Sequence, residues 1–186
     1  MTTDGAAARL TEALTSWVPP TDALAGLRQE YLGLVGRRGS AALRRESGPA
    51  HLTASCFIFS PDLEQTLLCF HRKGRFWVQT GGHVEPDDSS VPAAALREAR
   101  EEAGIAVLEL VPGVLDLDRH ELGAGFGACR THWDVGFAAL VRSDELPRVS
   151  DESEQVAWFG VDDLPSPLAD RVASRLERLR DDVRAG

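Results

Sequence analysis

The stretch from Gly81 to Ile105 leaves this chain few ways to fold. It opens on an expected loop made by Gly81-Gly82 and the acidic Glu85-Pro86-Asp87-Asp88, and offers Ser89 or Ser90 as a cap for a helix running from about Val91 to Ala103. Gly104 then stops that helix. With strand-rich flanks on both sides, the element order reads helices, then β β α β β β α.

The flanks supply the strands. Ala54, Cys56, Phe57, Ile58 and Phe59 form an apolar run that ends at Ser60-Pro61-Asp62, and a second strand is expected from Thr66 to His71, with Asp62 to Gln65 as the hairpin turn. Beyond the helix, strands are expected at Ile105 to Leu117, His132 to Val141 and Gln155 to Phe159. A terminal amphipathic helix follows from about Leu168 to Val183 through Leu168, Val172, Leu176 and Leu179. Residues 1–50 read as helical instead. One helix covers Thr11 to Trp17 and ends at Pro19-Pro20; a second, capped by Thr21-Asp22, carries Leu24, Leu27, Tyr31, Leu34 and Val35; a short third spans Ser40 to Glu46. The expected organisation is an N-terminal helical extension over 1–50, packed on a main domain over 51–186. A homodimer is the other use such an extension could serve.

Composition narrows the function. The chain has 186 residues, 20 basic against 29 acidic, for a net charge of −9. An acidic chain repels nucleic acid at long range, so any polyanionic substrate needs a local arginine cluster or a bridging cation. No apolar run approaches the roughly 20 residues that cross a bilayer, and Met1 to Leu10 lacks the pattern of a secretory signal. Cys56, Cys69 and Cys129 are odd in number and lack CxxC spacing, which argues against a disulfide framework or a structural zinc site and fits a reducing cytoplasm.

On the central helix, Glu98, Glu101 and Glu102 stand at i, i+3 and i+4, so the expectation is three carboxylates crowding one face, with Ala95, Leu96, Ala99 and Ala103 toward another. Like charges at that spacing repel, and acids in the last turn oppose the helix dipole by about 0.3–1 kcal/mol each. A hard divalent cation converts that repulsion into binding energy. Arg97 can hold one carboxylate by a bidentate ion pair, and the preceding glycines let backbone approach an ion or substrate.

At these residues the sequence resembles the Nudix hydrolase family. Its box reads Gly, five residues, Glu, seven residues, Arg-Glu, an aliphatic, any residue, Glu-Glu, any residue, Gly, an aliphatic. Gly82, Arg97, Glu98, Glu101, Glu102, Gly104 and Ile105 match. Asp88 stands where the first Glu is expected, eight residues separate it from Arg97, Ala99 takes the aliphatic position, and Thr80 precedes Gly81 where the family commonly has Pro. The extra residue falls in the loop, where it leaves the glutamates in phase. The resemblance extends from about His51 to Leu164 and includes Val156-Ala157-Trp158-Phe159 with Asp162-Asp163-Leu164 as a last strand and turn.

The resemblance implies a mixed-sheet αβα sandwich that hydrolyses the diphosphate bond of a nucleoside diphosphate linked to another moiety, using Mg2+ with Mn2+ as a substitute. It makes Glu98, Glu101 and Glu102 metal ligands, together with a backbone carbonyl of Gly81 or Gly82, and Arg97 a structural ion-pair partner. The general base is Glu98 or a loop acid outside the box, of which Asp151, Glu152 and Glu154 are candidates and Glu152 the first choice. Arg72, Lys73 and Arg75 form a basic cluster near the box, with Arg72 and Arg75 expected to bind substrate. A catalytically weak Nudix-like module that binds a ligand is the alternative, encouraged by Asp88 and the longer loop.

Other residues read more plainly. Phe76, Trp77, Phe126 and Trp133 could stack on a base, but aromatics on strands more often fill a core. Gly123 to Gly127 lacks the Lys-Ser/Thr of a phosphate loop and any strand-to-helix context, and reads as a mobile loop or a hairpin. His83, His120 and His132 lack helix-face zinc spacing and read as satisfied polar histidines, while Cys56 and Cys69 read as small buried hydrophobes.

Overall fold

The computed structural model describes residues 3–123, 125, 127–141, 147–148 and 153–186. Among these, helices α1 (Thr3–Ser16) and α2 (Asp22–Arg38) lead into strands β1 (Ala50–Phe59), β2 (Gln65–His71), β3 (Phe76–Val78) and β4 (Thr80–His83). Helix α3 (Val91–Ala103), strands β5 (Leu108–Glu121), β6 (Thr131–Val141) and β7 (Ser153–Gly160), and helix α4 (Val172–Ala185) complete the order. The strands join in one sheet, β3-β2-β1-β6-β5, with β4 also paired to β1 and β7 to β2. The fold is an αβα sandwich with an additional N-terminal helical segment.

β1 is central because its sequence lets it be. Every residue from His51 to Phe59 is buried, and an apolar run of this kind suits a strand covered on both faces. β2 runs antiparallel to it, with Ile58 opposite Leu67 and Phe59 opposite Thr66, and β7 lies antiparallel along β2 from Gln65–Gly160 to His71–Ser153.

The chain divides into two compact units. One comprises 1–54, 82–94 and 115–136; the other comprises 55–81, 95–114 and 137–186. In the first, Ala6, Ala7, Leu10 and Leu14 form the buried stripe of α1, and α2 starts where Thr21 Oγ1 accepts the Leu24 N–H at 3.2 Å. Tyr31 on α2 is fully buried, its hydroxyl 2.8 Å from the carbonyls of both Asp118 and Asp134, and its ring meets Trp133 edge-on. In the second unit, Phe57, Phe59, Leu68, Trp77, Ala138, Val172, Leu176 and Leu179 form the core.

Several expectations are corrected, beginning with the first helix, which starts at Thr3 rather than Thr11. The glycine pair is in a strand rather than a loop: Thr80 Oγ1 donates to the Cys56 carbonyl at 2.9 Å, and pairing with β1 overrides the weak strand propensity of Gly81-Gly82. β3 was not expected either, being too short for periodicity to show; Phe70 lies opposite Trp77 across it. Ser40 to Glu46 forms two 3-10 turns, Gly39–Ala42 and Arg45–Ser47, rather than one helix. The last helix starts at Val172 rather than Leu168, because Pro167 and Ala169 bond to the Trp77 backbone and Arg171 takes a left-handed conformation just before the helix.

Candidate active site on helix α3 and a histidine cluster

Ser90 caps α3 as expected, its hydroxyl accepting the Ala93 N–H at 3.2 Å. The buried stripe that follows is Val91, Ala94, Ala95, Glu98, Ala99, Glu102 and Ala103. The three glutamates therefore do not share one face. Glu98 and Glu102, one turn apart, lie among the alanines at 8% and 9% exposure, whereas Glu101, rotated by about 60°, is out in solvent. Small side chains on that stripe let two carboxylates sit low against the sheet, so the alanines and acids of this helix belong to a single face.

A backbone amide and an arginine hold these side chains in place. The backbone N–H of Gly81 donates to Glu102 Oε2 at 2.8 Å, and Arg97 Nη1 lies 3.0 Å from both Glu98 Oε1 and Glu101 Oε2. Gly104 ends the helix with φ 64°, and only glycine fits there: a Cβ would stand 2.7 Å from the Cβ of Arg148, whose N–H bonds the Ala103 carbonyl.

Asp88, at the position where the box has its first Glu, is 7% exposed and accepts the Glu85 N–H through Oδ2 at 2.8 Å, while its own N–H returns to the Glu85 carbonyl. It closes the turn Glu85-Pro86-Asp87-Asp88 on itself.

Of the expected substrate-binding arginines, Arg72 is exposed, and Arg75 pairs with Glu154 and lies over the Phe70 ring at 5.0 Å. Gly82 is half-buried in β4. Asp151, Glu152 and Phe126 lie outside the described residues. Trp77 is a core residue, edge-on to Phe70 and Phe159, and Cys56 and Cys69 are buried free thiols. Burial alone pushes the Cys56 thiol up to about 12. Between β5 and β6 the Leu122 N–H bonds the Arg130 carbonyl at 2.7 Å, while residues 124 and 126 of that connection lie outside the described residues.

A second constellation escaped the sequence reading. His51, His83, Cys129 and His132 bring one donor atom each to within 4.8 Å of one another. Ring centroids are 5.0 Å apart for His51 and His83, 5.2 Å for His51 and His132, and 5.4 Å for His83 and His132. Burial lowers the basicity of all three, with His83 pushed down to about 4 and His132 to about 3, and neighbouring imidazoles act the same way on those two. The four residues come from β1, β4, the β5–β6 connection and β6, so no local spacing announces them.

Comparison with known proteins follows this geometry. A family profile described as the NUDIX domain matches residues 49–181. A MutT NUDIX hydrolase from Burkholderia pseudomallei superposes with a TM-score of 0.51 at 26% identity, covering 69% of this chain and 96% of the other. A NUDIX-family hydrolase from Clostridium perfringens gives 0.56 at 23%, over 72% of this chain and 97% of that one. An Ap4A hydrolase from C. elegans, in a binary complex, gives 0.56 at 20%, over 72% and 95%. Among curated proteins, no sequence match is found.

Proposed function

The chain belongs to the NUDIX family of hydrolases, and from that premise we propose that it is a divalent-metal-dependent pyrophosphohydrolase acting on a nucleoside diphosphate linked to a second moiety. The observation that carries the reading is the buried pair Glu98 and Glu102 on α3. Two carboxylates one turn apart, at 8% and 9% exposure on an alanine face, present an all-oxygen donor set that suits Mg2+, with Mn2+ as its substitute.

Glu98, Glu101 and Glu102, with a backbone carbonyl of the Gly81-Gly82 pair, would hold that ion. When bound, such an ion neutralises charge developing on phosphoryl oxygens and acidifies a bound water. The remaining work falls to the chain. Gly81 N–H fixes the rotamer of Glu102, and Arg97 restrains Glu98 and Glu101 from the solvent side. Glu98 or Glu152 accepts the proton of the attacking water, with Glu152 favoured because a carboxylate occupied in binding metal is a poor base. Arg72 is the better placed of the two arginines to meet a phosphate, since Arg75 is engaged by Glu154.

One observation favours the rival reading, a ligand-binding module: Asp88 closes its own loop turn. The deciding experiment measures turnover of ADP-ribose, nucleoside triphosphates, nucleotide sugars and dinucleoside polyphosphates with Mg2+ and with Mn2+, alongside Glu98→Gln and Glu102→Gln. Cleavage of one class at its diphosphate bond, lost in both variants, is the expected result. Tight binding without release of nucleoside monophosphate or phosphate from any class would leave the binding module as the function.

A further inference from the structure

We infer that His51, His83, Cys129 and His132 form a structural site for one zinc-like transition-metal ion. None of the four is among the carboxylates of α3, and the inference does not rest on the hydrolase reading.

The geometry comes first. One donor atom from each residue lies within 4.8 Å of the others. Around tetrahedral zinc, with Zn–N of about 2.0–2.1 Å and Zn–S of about 2.3 Å, ligand atoms stand about 3.3–3.7 Å apart, so closing the site takes shifts of roughly 1 Å. The imidazoles are not stacked as parallel plates; His83 and His132 stand at 90° to each other, and His51 is tilted 37° from His83. Rings converging at such angles can each turn an edge toward a common centre.

Donor orientation agrees. His51 Nδ1 is 3.2 Å from the Gly48 carbonyl, an acceptor that fixes the proton on Nδ1 and leaves the Nε2 lone pair facing Cys129 Sγ at 3.9 Å. A ligating histidine whose other nitrogen donates to a carbonyl is the usual outer-shell arrangement of metal sites. His132 Nε2 is buried and has no hydrogen-bond partner among the described residues. A buried nitrogen left so is rare in folded proteins, and an ion at the centre of the cluster would occupy it.

The donor set selects the metal. Three imidazoles and a thiolate are too soft for Mg2+ or Ca2+ and suit Zn2+, with Co2+ as its spectroscopic substitute. All four tetrahedral positions are filled by protein, which marks a structural rather than a catalytic ion. On binding, the Cys129 thiol loses its proton to solvent and the sulfur becomes a thiolate ligand, while the neutral imidazoles release none. The ion would tie together β1, the end of β4, the β5–β6 connection and β6, all within one compact unit of the chain.

The test uses the full-length protein, stripped with chelator and titrated with Zn2+ against a chromophoric competitor, then with Co2+ by absorption. The expected result is one Zn2+ per chain with a Kd below about 1 µM, and a Co2+ complex showing tetrahedral d–d bands with a thiolate-to-metal charge-transfer band. Cys129→Ser should remove the charge-transfer band and weaken Zn2+ at least about 100-fold, and His132→Ala should weaken it comparably. The Glu98→Gln, Glu102→Gln double variant should bind Zn2+ at this site as tightly as wild type, so loss of hydrolase activity and loss of zinc are read separately. Less than about 0.1 ion per chain, a Co2+ spectrum without thiolate charge transfer, or undiminished affinity in folded Cys129→Ser and His132→Ala would each overturn the site. If those variants do not fold, the wild-type stoichiometry and Co2+ spectrum decide it alone.

Discussion

The amide of Gly81 and the carboxylate of Glu102 are joined across 2.8 Å, so the helix that carries the acids is pinned to the strand that carries the glycines. Glu102→Gln separates the two roles of that side chain. Its amide oxygen still accepts the Gly81 N–H, while the negative charge is gone. Turnover should fall by about 10²-fold or more, with Tm within about 2 °C of wild type, because the packing and the hydrogen bond survive. Glu98→Gln should be comparably severe. Steady-state kinetics over a full metal titration check this: if either variant recovers the wild-type maximal rate at high Mg2+, that carboxylate only tunes affinity.

Asp88 should behave differently from the glutamates of α3. Its carboxylate caps the Glu85 amide within one loop, so Asp88→Ala removes a turn bond worth about 0.5–1.5 kcal/mol. The expected result is lower stability in denaturant titration with turnover reduced less than about tenfold. A loss as deep as that of Glu102→Gln, in a stable variant, would make Asp88 part of the chemistry.

Tyr31→Phe probes the helical segment. One hydroxyl proton is shared between the Asp118 and Asp134 carbonyls, both 2.8 Å away in a fully buried setting. Removing it should cost about 1–3 kcal/mol, seen as a lower urea midpoint at unchanged slope. No change in the midpoint would mean water replaces the hydroxyl at that position.

Helix α3 was legible because all its signals are local: the Ser90 cap, the Gly104 stop and the glutamate spacing lie within one short stretch, and the structure reproduces the helix from Val91 to Ala103. What could not be read locally is which face each acid takes. Small alanines admit Glu98 and Glu102 to the buried stripe and leave Glu101 outside, and only packing against the sheet decides that. β4 was hidden because Gly81-Gly82 has no strand propensity of its own and pairs only once β1 is in place. The histidine cluster was invisible for the same reason in stronger form. His51 and His132 are 81 positions apart, and Cys129 follows His83 by 46, so topology alone assembles them.

The buried imidazoles make the metal-free protein acid-sensitive in a defined window. His83 and His132 sit at about 4 and about 3, against about 6.5 in the unfolded chain, because burial disfavours their cations. Between those limits the unfolded chain binds protons that the folded chain does not, so stability is greatest above pH 6.5 and falls as pH drops below it. Each ring contributes up to about 1.4 kcal/mol per pH unit. The interval from pH 6.5 to 5 is the informative one, since most carboxylates titrate below it. Urea unfolding of chelator-treated protein across that interval should show a falling midpoint, and His132→Asn should flatten the slope, leaving the part that His51 and His83 contribute. A midpoint constant from pH 7 to 5 would mean that both rings reach solvent and protonate without disturbing the fold.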